Sequence, residues 1–151
     1  MSPDAKRPVT VAVSGYFDPL HVGHVEYFEK AKALGDRLVV IVNNDIQAKL
    51  KKGFCFMPQD ERMKIIKALR CVDDVFLSVD NDKTVCKSLQ AVKPDIFAKG
   101  GDRVAANLPE PEIELCKKLG IKIVYNLGEK IQSSSELIAR IIMLAKKEAK
   151  K

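Results

Sequence analysis

The chain has no tryptophan, only two histidines, and aromatic residues at just 6% of its 151 positions. Scarce aromatics argue against a surface that stacks on the bases of single strands. Only six of the 26 basic residues are arginine, a poor match to readout of base edges. The formal charge of +6 therefore reads as lysines on solvated faces, or as attraction for small phosphorylated ligands. Nucleic-acid binding rests on charge alone, and no nucleic-acid partner is expected. The four cysteines, Cys55, Cys71, Cys86 and Cys116, form no Cys-x-x-Cys pair, and with two close histidines they do not suggest a structural zinc site. Cys71, Cys86 and Cys116 fall in apolar-periodic segments, where a reduced thiol acts as a small hydrophobe. Cys55 is expected in an exposed loop. No apolar run reaches bilayer length, and MSPDAKRP lacks the apolar core of a secretory signal. The expectation is a cytoplasmic protein with no membrane partner.

What is present is alternation. A length of 151 residues, 46% apolar and 30% charged, suits one domain spanning 1–151 with its own core. Five short apolar runs, at 9–13, 38–42, 74–79, 95–99 and 122–127, read as strands, several buried on both faces. Helical stripes lie between them: Val25, Phe28 and Ala31; Met63, Ile66 and Leu69 behind Pro58; Val85, Leu89 and Val92; Ile113, Leu115 and Cys116. A last stripe carries Leu137, Ile138, Ile141, Ile142 and Ala145 on one side. The order predicts an α/β fold: a doubly wound, Rossmann-like, five-stranded parallel sheet with helices on both faces. Ligands of such sheets bind beyond the carboxyl ends of the strands. There the chain places SGYFDPLHVGH, NNDIQAKLKKGF, GGDR and GEKIQSSSE, the second read as a basic loop with Gly53 and Phe54 as a hinge and an apolar lid contact.

Both histidines, His21 and His24, lie in the first of these segments, at i and i+3 where a helix begins near Leu20 to Val22. A helix N-terminus offers free N–H groups and a positive dipole end to a phosphate. Two imidazoles add donors, or cations, aimed at the same anion, and Gly23 lets a bulky ligand approach the backbone. Ser133 to Glu136 has the spacing of a capping box at the start of the last helix. Gly100 and the Gly-Asp-Arg that follows it, with Asp102 and Arg103, form a turn that a base or ribose can approach. No dedicated metal cage is visible.

His21-Val-Gly-His24 after Tyr16-Phe17-Asp18 resembles the signature of the cytidylyltransferase-like nucleotidyltransferases. The resemblance continues through AKALGDRLVVIVNND, DERMKIIKALRCVDDV, KPDIFAKGGD and IQSSSELI, similar to segments of glycerol-3-phosphate cytidylyltransferase and of heptose-1-phosphate adenylyltransferase. It implies that a phosphate monoester attacks the α-phosphorus of a nucleoside triphosphate and pyrophosphate leaves. The attacking oxygen is already anionic near neutral pH, so positioning and charge neutralisation replace a general base. By resemblance, His21, His24 and Lys52 are catalytic, and Asp18 and Lys49 hold the acceptor. Tyr16, Phe17, Gly23, Gly100, Asp102, Arg103, Lys130, Gln132, Ser133 and Ser134 hold the nucleotide, the last three around the β- and γ-phosphates. Asp45, Arg62 and Lys83 have family counterparts near the site. Leu127 stands where the cytidylyltransferases carry an arginine, with Lys130 as a replacement charge, and KGGD resembles the heptose enzymes. ATP with a sugar phosphate such as heptose 1-phosphate is thus favoured over CTP with glycerol 3-phosphate. A non-catalytic nucleotide sensor is the other reading. Mg2+ would arrive with the triphosphate, and a homodimer is possible because dimers are common in the family.

Overall fold

The computed structural model describes residues 7–100, 109–127 and 133–150. In chain order they form β1 (Thr10–Gly15), α1 (Val22–Lys32), β2 (Arg37–Val42), α2 (Asp45–Lys52), α3 (Gln59–Lys67), β3 (Asp74–Leu77), α4 (Cys86–Val92), β4 (Ile96–Gly100), α5 (Glu110–Leu119), β5 (Lys122–Leu127) and α6 (Ser134–Ala149). The five strands make one parallel sheet in the order β3-β2-β1-β4-β5, the doubly wound arrangement expected.

The period of two along each strand sorts the core into two faces. Val11, Val13, Leu38, Val40, Val42 and Ala98 pack with Phe28 and Ala31 of α1 and Ile66 of α3. Their neighbours Ala12, Ile41 and Phe97 point the other way, against Val85, Leu89, Cys116 and Ile121. Winding reverses at β1, which pairs with β2 on one edge and β4 on the other. The chain leaves these two strands in opposite directions and opens a crevice beyond Gly15 and Gly100.

Two local expectations change. The segment after β2 is helical rather than a loop. Asn44 caps α2 by accepting from Gln47 N at 2.9 Å, and the Gln47 side chain accepts from Asn44 N at 3.0 Å, a reciprocal cap that starts a helix. Gly53, at φ 82°, ends it. Along α6 the expected stripe is covered only at its start. Leu137 and Ile138 are half-buried, but Ile141 and Ile142 are 51% and 50% exposed. Among the described residues no helix is long and apolar enough to cross a membrane.

Candidate active site

The carboxyl end of β1 runs into a tight, internally packed turn. Phe17 adopts a left-handed φ of 53°, a conformation that costs a side-chain-bearing residue free energy and recurs at functional sites. It drives the ring inward, where it is only 3% exposed. The ring meets His24 edge-on at 4.9 Å and Phe28 at 5.1 Å. Phe17 was expected to touch the nucleotide with the rest of the signature. Its ring instead forms the wall on which His24 rests.

The histidines build the start of α1 between them. His21 is the N-cap, one residue before the first turn, and its Nδ1 accepts from Gly23 N at 3.1 Å. The Nδ1 of His24 accepts from His21 N at 3.2 Å. Their rings stack 3.7 Å apart. A ring nitrogen that accepts cannot carry the proton, so each neutral imidazole is protonated at Nε2 and keeps that N–H as its one donor. Burial pulls the His24 pKa down to about 3, with the neighbouring His21 and the Lys52 ammonium adding to the effect. Burial also lowers that of His21. This corrects the expectation of imidazolium cations: at neutral pH the pair supplies neutral donors, because both rings already serve the helix terminus.

Asp18, read as a substrate-binding residue, lies under the histidine turn. Its side chain is fully buried, and its two oxygens accept from Phe56 N at 2.8 Å and Met57 N at 2.5 Å. Both oxygens therefore fasten the segment after α2 to the histidine turn, which gives the carboxylate a structural contact at this site. Arg62, fully buried on α3, completes this frame. It donates to the carbonyls of Tyr16 at 2.6 Å, Asn43 at 2.7 Å and Met57 at 2.8 Å, and to Asp45 Oδ1 at 2.8 Å. Cys55, expected to be exposed, is half-buried and donates its thiol hydrogen to Asp45. Burial and that hydrogen bond push its pKa up to about 11.

The frame brings the end of α2 to the site. Lys52 donates to Asp18 O at 3.2 Å, and burial lowers its pKa despite the pull of Asp18. Lys49 and Lys51 are both exposed on α2, and Lys51 lies 4.4 Å over the Tyr16 ring. Of the expected pair Lys49 and Lys52, Lys52 touches the histidine turn. From the far end of the chain, Ser133 caps α6, accepting from Glu136 N at 3.4 Å. Ser134 donates to Pro19 O at 2.8 Å, which docks the N-terminus of α6 against the histidine turn. Two positive helix ends and Lys52 therefore converge there. Gly100 closes β4 at the crevice. Asp102, Arg103, Lys130 and Gln132 lie outside the described residues.

Beside the turn opens a cleft of about 270 Å³, lined by Ser14, Gly15, Tyr16, Asn43, Lys51, Lys83, Val85, Lys99, Pro109 and Glu112. Lys99 and Glu112 were not foreseen as site residues. Their visible signal is position: Lys99 is the next-to-last residue of β4, and Glu112 is in the first turn of α5. Among the described residues no group of three His, Cys, Asp or Glu side chains could hold a metal ion.

The cytidylyltransferase-like family matches residues 12–142. The chain is 38% identical over 138 residues to the bifunctional protein HldE of Streptomyces coelicolor, covering 90% of this chain but only 29% of that protein. It is 36% identical over 146 residues to FAD synthase of Ferroglobus placidus, covering 93% of this chain and 92% of that one. The crystal structure of the lipopolysaccharide core biosynthesis protein from Thermoplasma volcanium has 34% sequence identity and superimposes with a TM-score of 0.70, over 81% of this chain and 98% of the other. With its parallel sheet, its His-x-Gly-His helix start and this match over most of its length, the chain belongs to the cytidylyltransferase-like family and is a nucleotidyltransferase.

Proposed function

We propose that the chain transfers the adenylyl group of ATP to a sugar phosphate of the heptose 1-phosphate type and releases pyrophosphate. The observation that carries this reading is the stacked imidazole pair at the start of α1, whose Nδ1 atoms accept from the helix start and leave each Nε2–H as the remaining donor, next to the N-terminus of α6 and to Lys52. An acceptor phosphate oxygen forms a bond to the α-phosphorus, and the bond from that phosphorus to the bridging oxygen of the β-phosphate breaks. The electron pair leaves with pyrophosphate. His21 and His24 donate to the charge that builds on the α-phosphate, and one such preorganised donor is worth about 3–4 kcal/mol of barrier. Lys52 neutralises charge between the two reactants. Magnesium, carried on the triphosphate and its own waters, would screen the remaining charge; a site of lysines and neutral imidazoles fits an ion held that way. A cytoplasmic setting suits this chemistry.

Adenine as the base is supported by the resemblance of KGGD to the heptose adenylyltransferases and by the two groups of relatives. The FAD synthase relatives, aligned over nearly their full length, favour FMN as a second acceptor to test. CTP with glycerol 3-phosphate is the remaining alternative. Purified protein, magnesium and each NTP should be assayed for pyrophosphate release against sugar phosphates, FMN and glycerol 3-phosphate. Release with ATP and a sugar phosphate is the expected result. Release only with CTP would replace the base assignment, and release with no pair would leave a nucleotide-binding sensor.

A further inference from the structure

Where β5 reaches the crevice, its pairing with β4 slips. Phe97 pairs with Ile123 and Ala98 with Val124, but the next pair is Gly100 with Leu127. Between these pairs β5 carries one residue more than β4, which is a bulge. Asn126 lies inside it, exposed and at a left-handed φ of 59°. That backbone costs any residue with a Cβ free energy, asparagine less than most. The bulge sits on the edge strand of the sheet, and bulges at such edges re-aim the chain near active sites.

The extra residue changes the face that the end of β5 presents. Side chains alternate along a strand, so in an unbroken β5 Ile123 and Leu127 would share a face. Here they part. Ile123 packs with the layer of Ala12, Leu89 and Phe97, and Leu127 with the layer of Phe17, Phe28 and Ala98. Gly100, the ladder partner of Leu127, faces the same side: a Cβ added to it would lie 4.0 Å from the Tyr27 ring of α1. The bulge thus turns the end of the last strand toward the helix that carries the histidines. Ser133 and Ser134 come next among the described residues, and Ser134 donates to Pro19 O at 2.8 Å in the histidine turn. Without the bulge, Leu127 would turn to the opposite face, which Leu89 of α4 and Cys116 of α5 cover.

We propose that Asn126 is a positioning residue for the transfer: its left-handed backbone re-aims β5 so that the N-terminus of α6 reaches the histidine turn and the leaving end of the triphosphate. The proposal rests on the nucleotidyl-transfer reading of the site and adds a residue that acts through Ser134. What matters at position 126 is then the backbone. Glycine adopts that φ freely, and valine does not. The test uses the whole chain with magnesium and inorganic pyrophosphate, titrated by calorimetry. AMP, or the monophosphate of whichever nucleotide supports turnover, is the control without β- and γ-phosphates. Asn126→Gly should bind pyrophosphate within about twofold of wild type. Asn126→Val should weaken pyrophosphate by about 10–100-fold, the worth of a hydrogen bond to a charged group, and leave the monophosphate unchanged. Ser134→Ala should also weaken pyrophosphate, and the double variant should lose no more than the worse single one, since both changes act through one contact. Wild-type affinity in Asn126→Val, equal losses in Asn126→Gly and Asn126→Val, equal weakening of the monophosphate, or losses that multiply with Ser134→Ala would overturn the proposal and leave nucleotidyl transfer standing. Should Asn126→Val fail to fold, Asn126→Gly decides: unchanged pyrophosphate affinity supports the assignment and a weakened one overturns it. A wild type that binds no pyrophosphate would overturn the reading of the site, and this assignment with it.

Discussion

A Cβ added to Gly15 would lie 2.7 Å from Cζ of Phe17. The last residue of β1 must therefore lack a side chain for the Phe17 ring to fold back beneath His24. Gly15→Ala should lower stability by about 1–3 kcal/mol, the usual cost of forcing atoms into a packed interior. It should also lower kcat, because the wall behind His24 shifts. Thermal melts and steady-state rates on the same preparation separate the two effects. Lost stability with an intact kcat would deny Phe17 its positioning role.

His24→Ala removes a donor and one of the caps of α1. A fall in kcat of about 10²–10³ is expected. His21→Ala should fall similarly, and the double variant should lose far less than the product, since the rings act as a unit. A fully multiplicative loss would mean that each ring acts alone.

The depressed pKa of His24 has a sign that can be measured. Between its ordinary value of 6.5 and about 3, the unfolded chain binds a proton at this residue that the folded chain refuses. His24 therefore costs no stability above about pH 6.5 and subtracts progressively as the pH falls toward 3. The Tm of wild type should drop more steeply over that window than the Tm of His24→Asn. The profile of kcat/KM should show the second ionisation of the acceptor phosphate, near pH 6, and no limb from His24 above pH 4. Parallel Tm curves would refute the assignment.

Arg62 is the fully buried cation that holds Tyr16, Asn43, Met57 and Asp45 together. Arg62→Ala would leave three carbonyls without this donor and Asp45 without its ion-pair partner. The expected cost is about 3–5 kcal/mol, read by urea denaturation. A loss under 1 kcal/mol would show that water replaces the guanidinium without strain.

The sheet was legible because buried parallel strands leave a mark that depends on little else: short β-branched runs such as LVVIV, with helical spacing between. The histidine turn was legible because two rare residues and a glycine lie within a few positions of a strand end. Other parts depend on partners far along the chain. Nothing near Asp18 says that Phe56 and Met57 will take both its oxygens. Nothing near Ser134 names Pro19, 115 residues away. The Asn44–Gln47 cap that makes α2 a helix is written in the sequence, but the short run of lysines behind it has the composition of a solvated loop as much as of a helix. Lys99 and Glu112 were hidden by a different cause, since a lysine next to the end of a strand reads as solvent-facing until the fold places Glu112 of α5 beside it.

The two-sided use of each imidazole bears on which amino acids could ever stand at positions 21 and 24. Asparagine can imitate the inner nitrogen, offering its oxygen to the helix start, but its amide stops short of the outer one. Glutamine reaches outward but surrenders the inner contact. Only a five-membered ring with nitrogens on opposite edges spans both distances. A library randomised at these two codons and selected for turnover should therefore return histidine at both, while selection for folding alone should also admit asparagine.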